Sequence, residues 1–517
     1  MTEPLKVRPI VLAILDGWGI GAATANNAIT QARTPVMDRL WSSNPHALLA
    51  ASGKAVGLPP EQAGNSEAGH LNIGAGRIVE QDAVLISHKI NDGSFFTNKA
   101  FLGAVEHVRN NKSSIHLVGL LTSDQSAHAY PEHIHALLHL LSGHNVKNVY
   151  LHLITDGRDS PPHSAMGSLE ELQKHFIGKE RIASISGRFY SMDRIKEWDR
   201  TEKAYQMMVE GNGRKASTAK NAVMQAYNRG ENDEYIQPTV MVKNGKPMKT
   251  IGDKDAIIFF NLRSDRVRQI SKAFLQGDEF IGFKRNKVLK NIYFASLTDF
   301  GPDLPNVHVA YPFRRITNSL PFVFGDWRQL YISESEKYAH VTYFFNGGYA
   351  DPVAGEERVI IKSPRLYSYA KKPEMNAQKL TDFVLTGLQR DQYDFIVMNY
   401  PNADMIAHTG NIEAAIQGIE FVDFCVGRIE SAVKRMNGIL VVTADHGNAD
   451  NMMNIQTGEM LTEHSHNLVP LILSGNETKD CTMQKKGALR HIAPTIISLA
   501  GLPIPKEMTQ KSLCQKK

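Results

Sequence analysis

Ile10-Val11-Leu12-Ala13-Ile14-Leu15, followed at once by Asp16-Gly17-Trp18-Gly19, is the stretch that decides the fold. A short, continuous apolar run that stops at an acid and glycines reads as a buried strand of a parallel sheet meeting a turn. The pattern recurs along the chain. Ile115 to Leu121 runs into Thr122-Ser123-Asp124, Val149 to Ile154 into Asp156-Gly157-Arg158-Asp159, and Ile182 to Ser186 into Gly187-Arg188. Ile257 to Phe260 leads to Asn261-Leu262-Arg263, Phe395 to Met398 to Asn399-Tyr400-Pro401, and Ile439 to Thr443 to Asp445-His446. Helical spacing lies between such runs, as in Ala414 to Lys434. The expected class is α/β. The informative polar residues all follow strand ends, the edge at which open α/β sheets bind ligands. Turn formation accounts for the glycines there, but not for the histidines and arginines.

A chain of 517 residues exceeds one comfortable core and predicts two or three domains. Tyr311-Pro312-Phe313 reads as a connection, and Val79 to Ala83 as a second one. The net charge of +5, from 58 Lys and Arg against 53 Asp and Glu, is too small for a nucleic-acid footprint. The first apolar run is too short for a membrane span and the N-terminus carries no cleavage pattern. A cytoplasmic protein with neither nucleic-acid nor membrane partners is expected. Cys425, Cys481 and Cys514 are widely spaced with no C-x-x-C pair, so neither a thiolate zinc site nor a disulfide framework is expected.

Asp404 and His408 stand at i and i+4, which places both on one helical face. Asp445-His446 follows a strand, Glu463-His464-Ser465-His466 comes downstream, and Asp16 ends the first strand. Any one pair reads more simply as a cap or turn. Four such sites together read as metal ligands. Oxygen and imidazole donors without thiolate suit Mn²⁺ or Zn²⁺, and the carboxylates favour Mn²⁺. So many ligands imply two ions, roughly 3.5–4 Å apart if they clamp one phosphoryl group. His466 is as compatible with a surface or supporting role as with ligation.

Gly64-Asn65-Ser66-Glu67-Ala68-Gly69-His70 presents a glycine-flanked serine. Alone, Ser66 reads as a helix cap. No G-x-S-x-G elbow is present, so an esterase nucleophile is disfavoured. A nearby metal would supply the activation a serine hydroxyl needs. Arg158, Arg188, Arg194, Arg263 and Arg266, with His128, form a candidate clamp for an anion carrying carboxylate and phosphate oxygens. Arg268 fits a surface ion pair better.

Leu15-Asp16-Gly17-Trp18-Gly19, Gly64-Asn65-Ser66-Glu67, Asp156-Gly157-Arg158-Asp159, Gly187-Arg188, the Arg263/Arg266 segment, Glu336-Lys337-Tyr338-Ala339-His340-Val341-Thr342, Pro373-Glu374-Met375, Asp404 with His408-Thr409-Gly410, and Asp445-His446-Gly447-Asn448 occur in that order. Together they closely resemble the cofactor-independent (2,3-bisphosphoglycerate-independent) phosphoglycerate mutases. The metal core alone resembles only the wider alkaline-phosphatase superfamily; the arginine segment narrows it. Departures from the family pattern fall at Ala63, Ala407, Leu461 and His491.

The resemblance implies an alkaline-phosphatase-like, metal-binding domain from residues 1–81 and 316–517, and an inserted α/β transferase domain from 82–315. It implies two Mn²⁺ ions per subunit, one held by Asp404, His408 and His464, the other by Asp16, Ser66, Asp445 and His446. It implies substrate contacts from His128, Arg158, Asp159, Arg188, Arg194, Arg263, Arg266 and Lys337, with Ser66, Asp159 and Lys337 in catalysis. The implied reaction interconverts 3-phosphoglycerate and 2-phosphoglycerate through phosphoserine on Ser66, in a monomer, with no bisphosphoglycerate. Rival expectations are a hydrolase or another mutase on the same metal core, such as a phosphopentomutase, and a silent metal- or anion-binding protein.

Overall fold

A computed structural model describes residues 7–122, 126–301 and 303–516. Ser123 and Asp124 lie outside the described residues, as does the N-terminal stretch before Val7. The chain divides into two compact units: Met1–Gln81 with Arg314–Lys517, and Asp82–Phe313.

The first unit is built on an eight-stranded sheet. Its order is Glu357–Ile361, Gln329–Glu334, Phe395–Tyr400, Ile10–Leu15, Ile439–Thr443, Val469–Ser474, His46–Ala50 and Lys486–Ala488. Ile10–Leu15 lies between Phe395–Tyr400 and Ile439–Thr443, parallel to both, and all six residues are buried. Burial on both faces is why the run is apolar without alternation. Gln329–Glu334 and Glu357–Ile361 continue the parallel set, so five strands end at one edge. Val469–Ser474 runs antiparallel to Ile439–Thr443, with Leu471 opposite Thr443, so the segment before it, carrying His464, enters at that edge too. The helix Ile412–Arg435 buries Ala415, Ile419, Val422, Val426, Ile429 and Val433, the helical spacing that the sequence announces.

The second unit carries its own sheet, in the order Val307–Val309, Tyr293–Ser296, Ala256–Phe259, Ile115–Leu121, Val149–Thr155, Glu180–Gly187, Thr239–Lys243 and Arg214–Ala216. Alternate residues of Ile115–Leu121 enter different cores: Ile115 and Leu117 one, Val118 and Leu120 the other. Two covered faces again explain an unbroken apolar run. Ala256–Phe259, Ile115–Leu121, Val149–Thr155 and Glu180–Gly187 are parallel, so the loops rich in arginine leave one edge.

One expectation is corrected. Cys481 and Cys514 are joined by a disulfide, with Cα atoms 5.3 Å apart, where Cys481–Met483 and Cys514–Lys516 form an antiparallel ribbon. Their separation of 33 residues hides a contact that only strand pairing creates. Cys425 is free and buried. Among the described residues, no helix is long and apolar enough to cross a membrane.

Candidate active site

In the first unit, the strand ends gather six polar side chains that are almost wholly buried: Asp16, Ser66, Lys337, Asp404, Asp445 and His446. Close backbone approach makes this possible. Gly17 has φ +74°, and a Cβ there would meet Asp404 at 2.8 Å. A Cβ on Gly69 would lie 2.6 Å from the carbonyl oxygen of Asp445, so the helix Ser66–Ala75 rests directly on that loop. Asn65, not Ser66, is the cap of this helix: its side chain accepts from the Ala68 N–H. Ser66 is thus left free for other partners.

Its hydroxyl sits where these side chains meet. Ser66 Oγ is 2.9 Å from His446 Nε2 and 3.4 Å from Asp16 Oδ1, and accepts from Lys337 Nζ at 2.6 Å. Lys337 also donates to Asp16 Oδ1 at 2.7 Å and to Asp404 Oδ2 at 2.6 Å. Burial opposes its charge, but Asp16, Asp404 and Asp445 outweigh burial and raise its pKa above the ordinary lysine range. Burial likewise opposes ionisation of Asp16, and Lys337 with His446 reverses it, so Asp16 stays ionised. Asp404 is held low in the same way by His408 and Lys337. His446 is raised to about 9: Asp445 and Asp16 overcome the effect of burial.

The donor set fits cations. His408 Nδ1 faces the Thr462 carbonyl at 2.7 Å, and His464 Nδ1 faces the Gly64 carbonyl at 2.8 Å. Carbonyls only accept, so each Nδ1 carries a hydrogen. Burial keeps His464 neutral, with a lone pair at Nε2, whereas Asp404 raises the pKa of His408, which offers its Nε2 lone pair only once a bound cation displaces that proton. Those two Nε2 atoms lie 3.2 Å apart and each is 3.3 Å from Asp404 Oδ1. Three potential ligand atoms thus converge on one point, a set that suits a positive ion in place of the His408 proton. Asp404, His446 and His464 offer ligand atoms within 4.8 Å of one another, as do Asp16, Asp445 and His446. Asp445 Oδ2, buried, lies 3.2 Å from His70 Nδ1 but accepts no well-formed hydrogen bond, which leaves lone pairs available. His466 is exposed and joins neither group.

In the second unit the anchor is Asp156, whose setting in sequence reads only as a turn. It is buried, and its Oδ1 accepts from Arg188 Nη1 at 2.6 Å and from the backbone N–H groups of Arg158 and Asp159. Arg188 also lies 3.1 Å from Asp159 Oδ2, and Ser126 donates to that oxygen at 2.7 Å. Burial raises Asp159, but Arg188 and the Ser126 hydroxyl bring it below the usual carboxylate value. Arg194 and Arg263 share Asp265, at 2.7 and 3.7 Å. Arg158 lies 3.9 Å from Glu234. Arg266 has its pKa pushed down to about 10 by burial and then by Arg194, Arg188 and Arg158. Those four guanidinium groups lie near enough to repel one another, and together with Arg263 they outnumber Asp156, Asp159, Asp265 and Glu234 by one among the described residues. His128 is lowered to about 3 by burial, Arg188 and Arg263, and its Nδ1 is buried with no hydrogen-bond partner. Arg268 pairs instead with Asp303, 2.6 Å away, as a surface residue.

Two residues near Ser66 were missed. His70 is buried one turn beyond Ser66 on the same helix, and Asn399 is buried in the strand Phe395–Tyr400, one residue before its end. The i, i+4 spacing of Ser66 and His70 was the available signal.

The two sites define a class first: an α/β metalloenzyme that handles anions. A family model described as the Metalloenzyme superfamily matches residues 8–504. The 2,3-bisphosphoglycerate-independent phosphoglycerate mutase 1 of Methanosarcina acetivorans is 47% identical, over 98% of this chain and 99% of its own length. The 2,3-bisphosphoglycerate-independent phosphoglycerate mutase of Clostridium novyi (strain NT) is 44% identical with the same coverages. That of Escherichia coli (strain K12) is 45% identical, with 98% of each chain covered. A crystal structure of Leishmania mexicana phosphoglycerate mutase at low cobalt concentration superposes with a TM-score of 0.81 at 30% identity, covering 100% of this chain and 99% of that one. The chain belongs to the 2,3-bisphosphoglycerate-independent phosphoglycerate mutase family.

Proposed function

We propose that the chain interconverts 3-phosphoglycerate and 2-phosphoglycerate through a phosphoryl group carried on Ser66, with no bisphosphoglycerate. The observation that carries this reading is the Ser66 hydroxyl, buried at the meeting point of the two ligand groups and hydrogen-bonded to Lys337. Asp404, His408 and His464 would hold one Mn²⁺ ion, and Asp16, Ser66, Asp445 and His446 a second. Bound there, the ions supply Lewis acidity, favouring the serine alkoxide and offsetting charge on phosphoryl oxygens.

The protein's own groups do the rest. Ser66 Oγ forms a bond to phosphorus as the bond from phosphorus to the glycerate oxygen breaks. Lys337, charged and buried, offsets negative charge on the transferring group. Arg158, Arg188, Arg194, Arg263 and Arg266, with His128, hold the carboxylate and phosphate oxygens of the substrate. The second hydroxyl of the retained glycerate then takes the phosphoryl group from Ser66. Asp159, kept ionised by Arg188, moves the proton. Water must be excluded while the phosphoserine stands, or the outcome is hydrolysis. The reading includes a cytoplasmic monomer, the latter checked by sedimentation velocity.

The test is a coupled assay for 2-phosphoglycerate with Mn²⁺ and without bisphosphoglycerate, with free phosphate measured in parallel. Isomer without stoichiometric phosphate is expected. Phosphate release without isomer would favour a hydrolase.

A further inference from the structure

We infer that His70 and Asn399 form a positioning frame for the nucleophile, in which Asn399 fixes one tautomer of His70 and His70 ties Ser66 to the Asp445 side of the site. This rests on the role proposed above for Ser66.

The inference starts from hydrogen-bond directions. Asn399 Nδ2 lies 2.7 Å from Asp16 Oδ2 and 3.1 Å from His70 Nε2. A carboxylate oxygen accepts, so the Asn399 atom facing Asp16 Oδ2 is the amide nitrogen. The hydroxyl of Ser333 approaches the other end, Oδ1, at 3.4 Å, which agrees with that orientation. The second hydrogen on Asn399 Nδ2 points at His70 Nε2, which must therefore be a lone pair. His70 then carries its hydrogen on Nδ1. That hydrogen is directed at the Ser66 carbonyl, 2.9 Å away, and Nδ1 lies 3.2 Å from Asp445 Oδ2.

The frame thus links one candidate ligand, Asp16, through Asn399 and His70 to the backbone of Ser66, and sets the same Nδ1 beside a second candidate ligand, Asp445. Both His70 and Asn399 are fully buried, so water cannot replace either partner. The reverse tautomer would turn two N–H groups against each other at Nε2 and leave the Ser66 carbonyl facing a lone pair. Neither residue reaches substrate in this account; each acts through Ser66, Asp16 and Asp445.

The experiment uses full-length wild-type protein, His70→Asn and His70→Gln. An asparagine amide nitrogen takes the place of imidazole Nδ1, and a glutamine amide nitrogen that of Nε2. Cobalt(II) affinity of metal-stripped protein is measured by calorimetry, with unfolding temperature, kcat and KM alongside. His70→Asn should stay within about threefold of wild type in cobalt affinity, whereas His70→Gln should lose about 10–100-fold, the usual cost of an outer partner of a ligand. kcat should fall in the same order, with KM for phosphoglycerate little changed in both. Asn399→Ala, which leaves the His70 tautomer unfixed, should resemble His70→Gln. Equal losses in His70→Asn and His70→Gln, or losses that simply follow unfolding temperature, would overturn the inference. Wild-type protein that binds cobalt but does not isomerise would instead overturn the function, leaving the cobalt comparison readable.

Discussion

The two sites are opposites in charge and in burial. In the first unit, buried carboxylates of Asp16, Asp404 and Asp445 gather with buried His446, partly buried His464 and exposed His408, and Lys337 is a cation held among them. In the second unit guanidinium groups gather, Arg188 buried but Arg158 and Arg194 half-exposed, and Asp156, Asp159, Asp265 and Glu234 fall one short of the five arginines among the described residues. One site is short of positive charge and the other of negative charge. A rigid, buried set suits permanent ligands, whereas a partly exposed set suits an anion that must arrive and leave.

The largest break in this contrast is Ser66→Ala. It removes the phosphoryl acceptor and leaves the arginine cluster intact. Turnover should fall by on the order of 10⁴-fold or more, while calorimetry should still detect phosphoglycerate binding. Next comes chelation. Stripping metal should abolish isomerisation, added Mn²⁺ should restore it, and activity retained in stripped protein would contradict the ligand reading.

Arg266→Ala sharpens the other side. Its removal should lower kcat/KM by about 10–100-fold, the worth of a charged hydrogen bond to an anion. It should not lower the unfolding temperature, because Arg194, Arg188 and Arg158 repel it. Arg268→Ala, which loses only an exposed pair with Asp303, should change kcat/KM by less than about twofold.

The smallest effect is one of acid stability. In the second unit His133 is lowered to about 4 by burial, and His116 and His152 are lowered chiefly by burial as well. Below the ordinary histidine value the unfolded chain binds more protons than the folded one, so stability rises with pH and is lost on acidification. For His133 the loss develops from about pH 6.5, the unfolded value, down to about pH 4. The first unit also has lowered histidines, His340, His464 and His491, but His446 and His408 are raised and keep their contribution on acidification, and the depressed carboxylates Asp16 and Asp404 lose theirs only at lower pH. Hydrogen exchange at pH 5 against pH 7 should therefore show protection falling first in residues 82–313.

What the sequence revealed follows from where each signal resides. Buried parallel strands announce themselves as short apolar runs, so Ile10–Leu15, Ile115–Leu121 and Ile439–Thr443 could be read directly. Ligand pairs such as Asp404 with His408 are local, and spacing exposes them. Lys337 is different. It meets Asp16 across 321 residues, and only resemblance singled it out. Asn399 and His70 are 329 residues apart, and their roles depend on which strand neighbours which. Asp156 looked like turn chemistry because its anchoring of Arg188 requires two adjacent strand ends. The Cys481–Cys514 bond depends on a ribbon of two short strands that leave no apolar signature.

The measurement that bears most directly on the account is rapid-quench mass spectrometry of the Mn²⁺-loaded protein mixed with 3-phosphoglycerate. The account predicts one added phosphoryl group, mapped to Ser66, that appears and disappears on the timescale of turnover and is absent from metal-stripped protein. Full isomerisation with Ser66 never phosphorylated, or with the phosphoryl group on another residue, would contradict it.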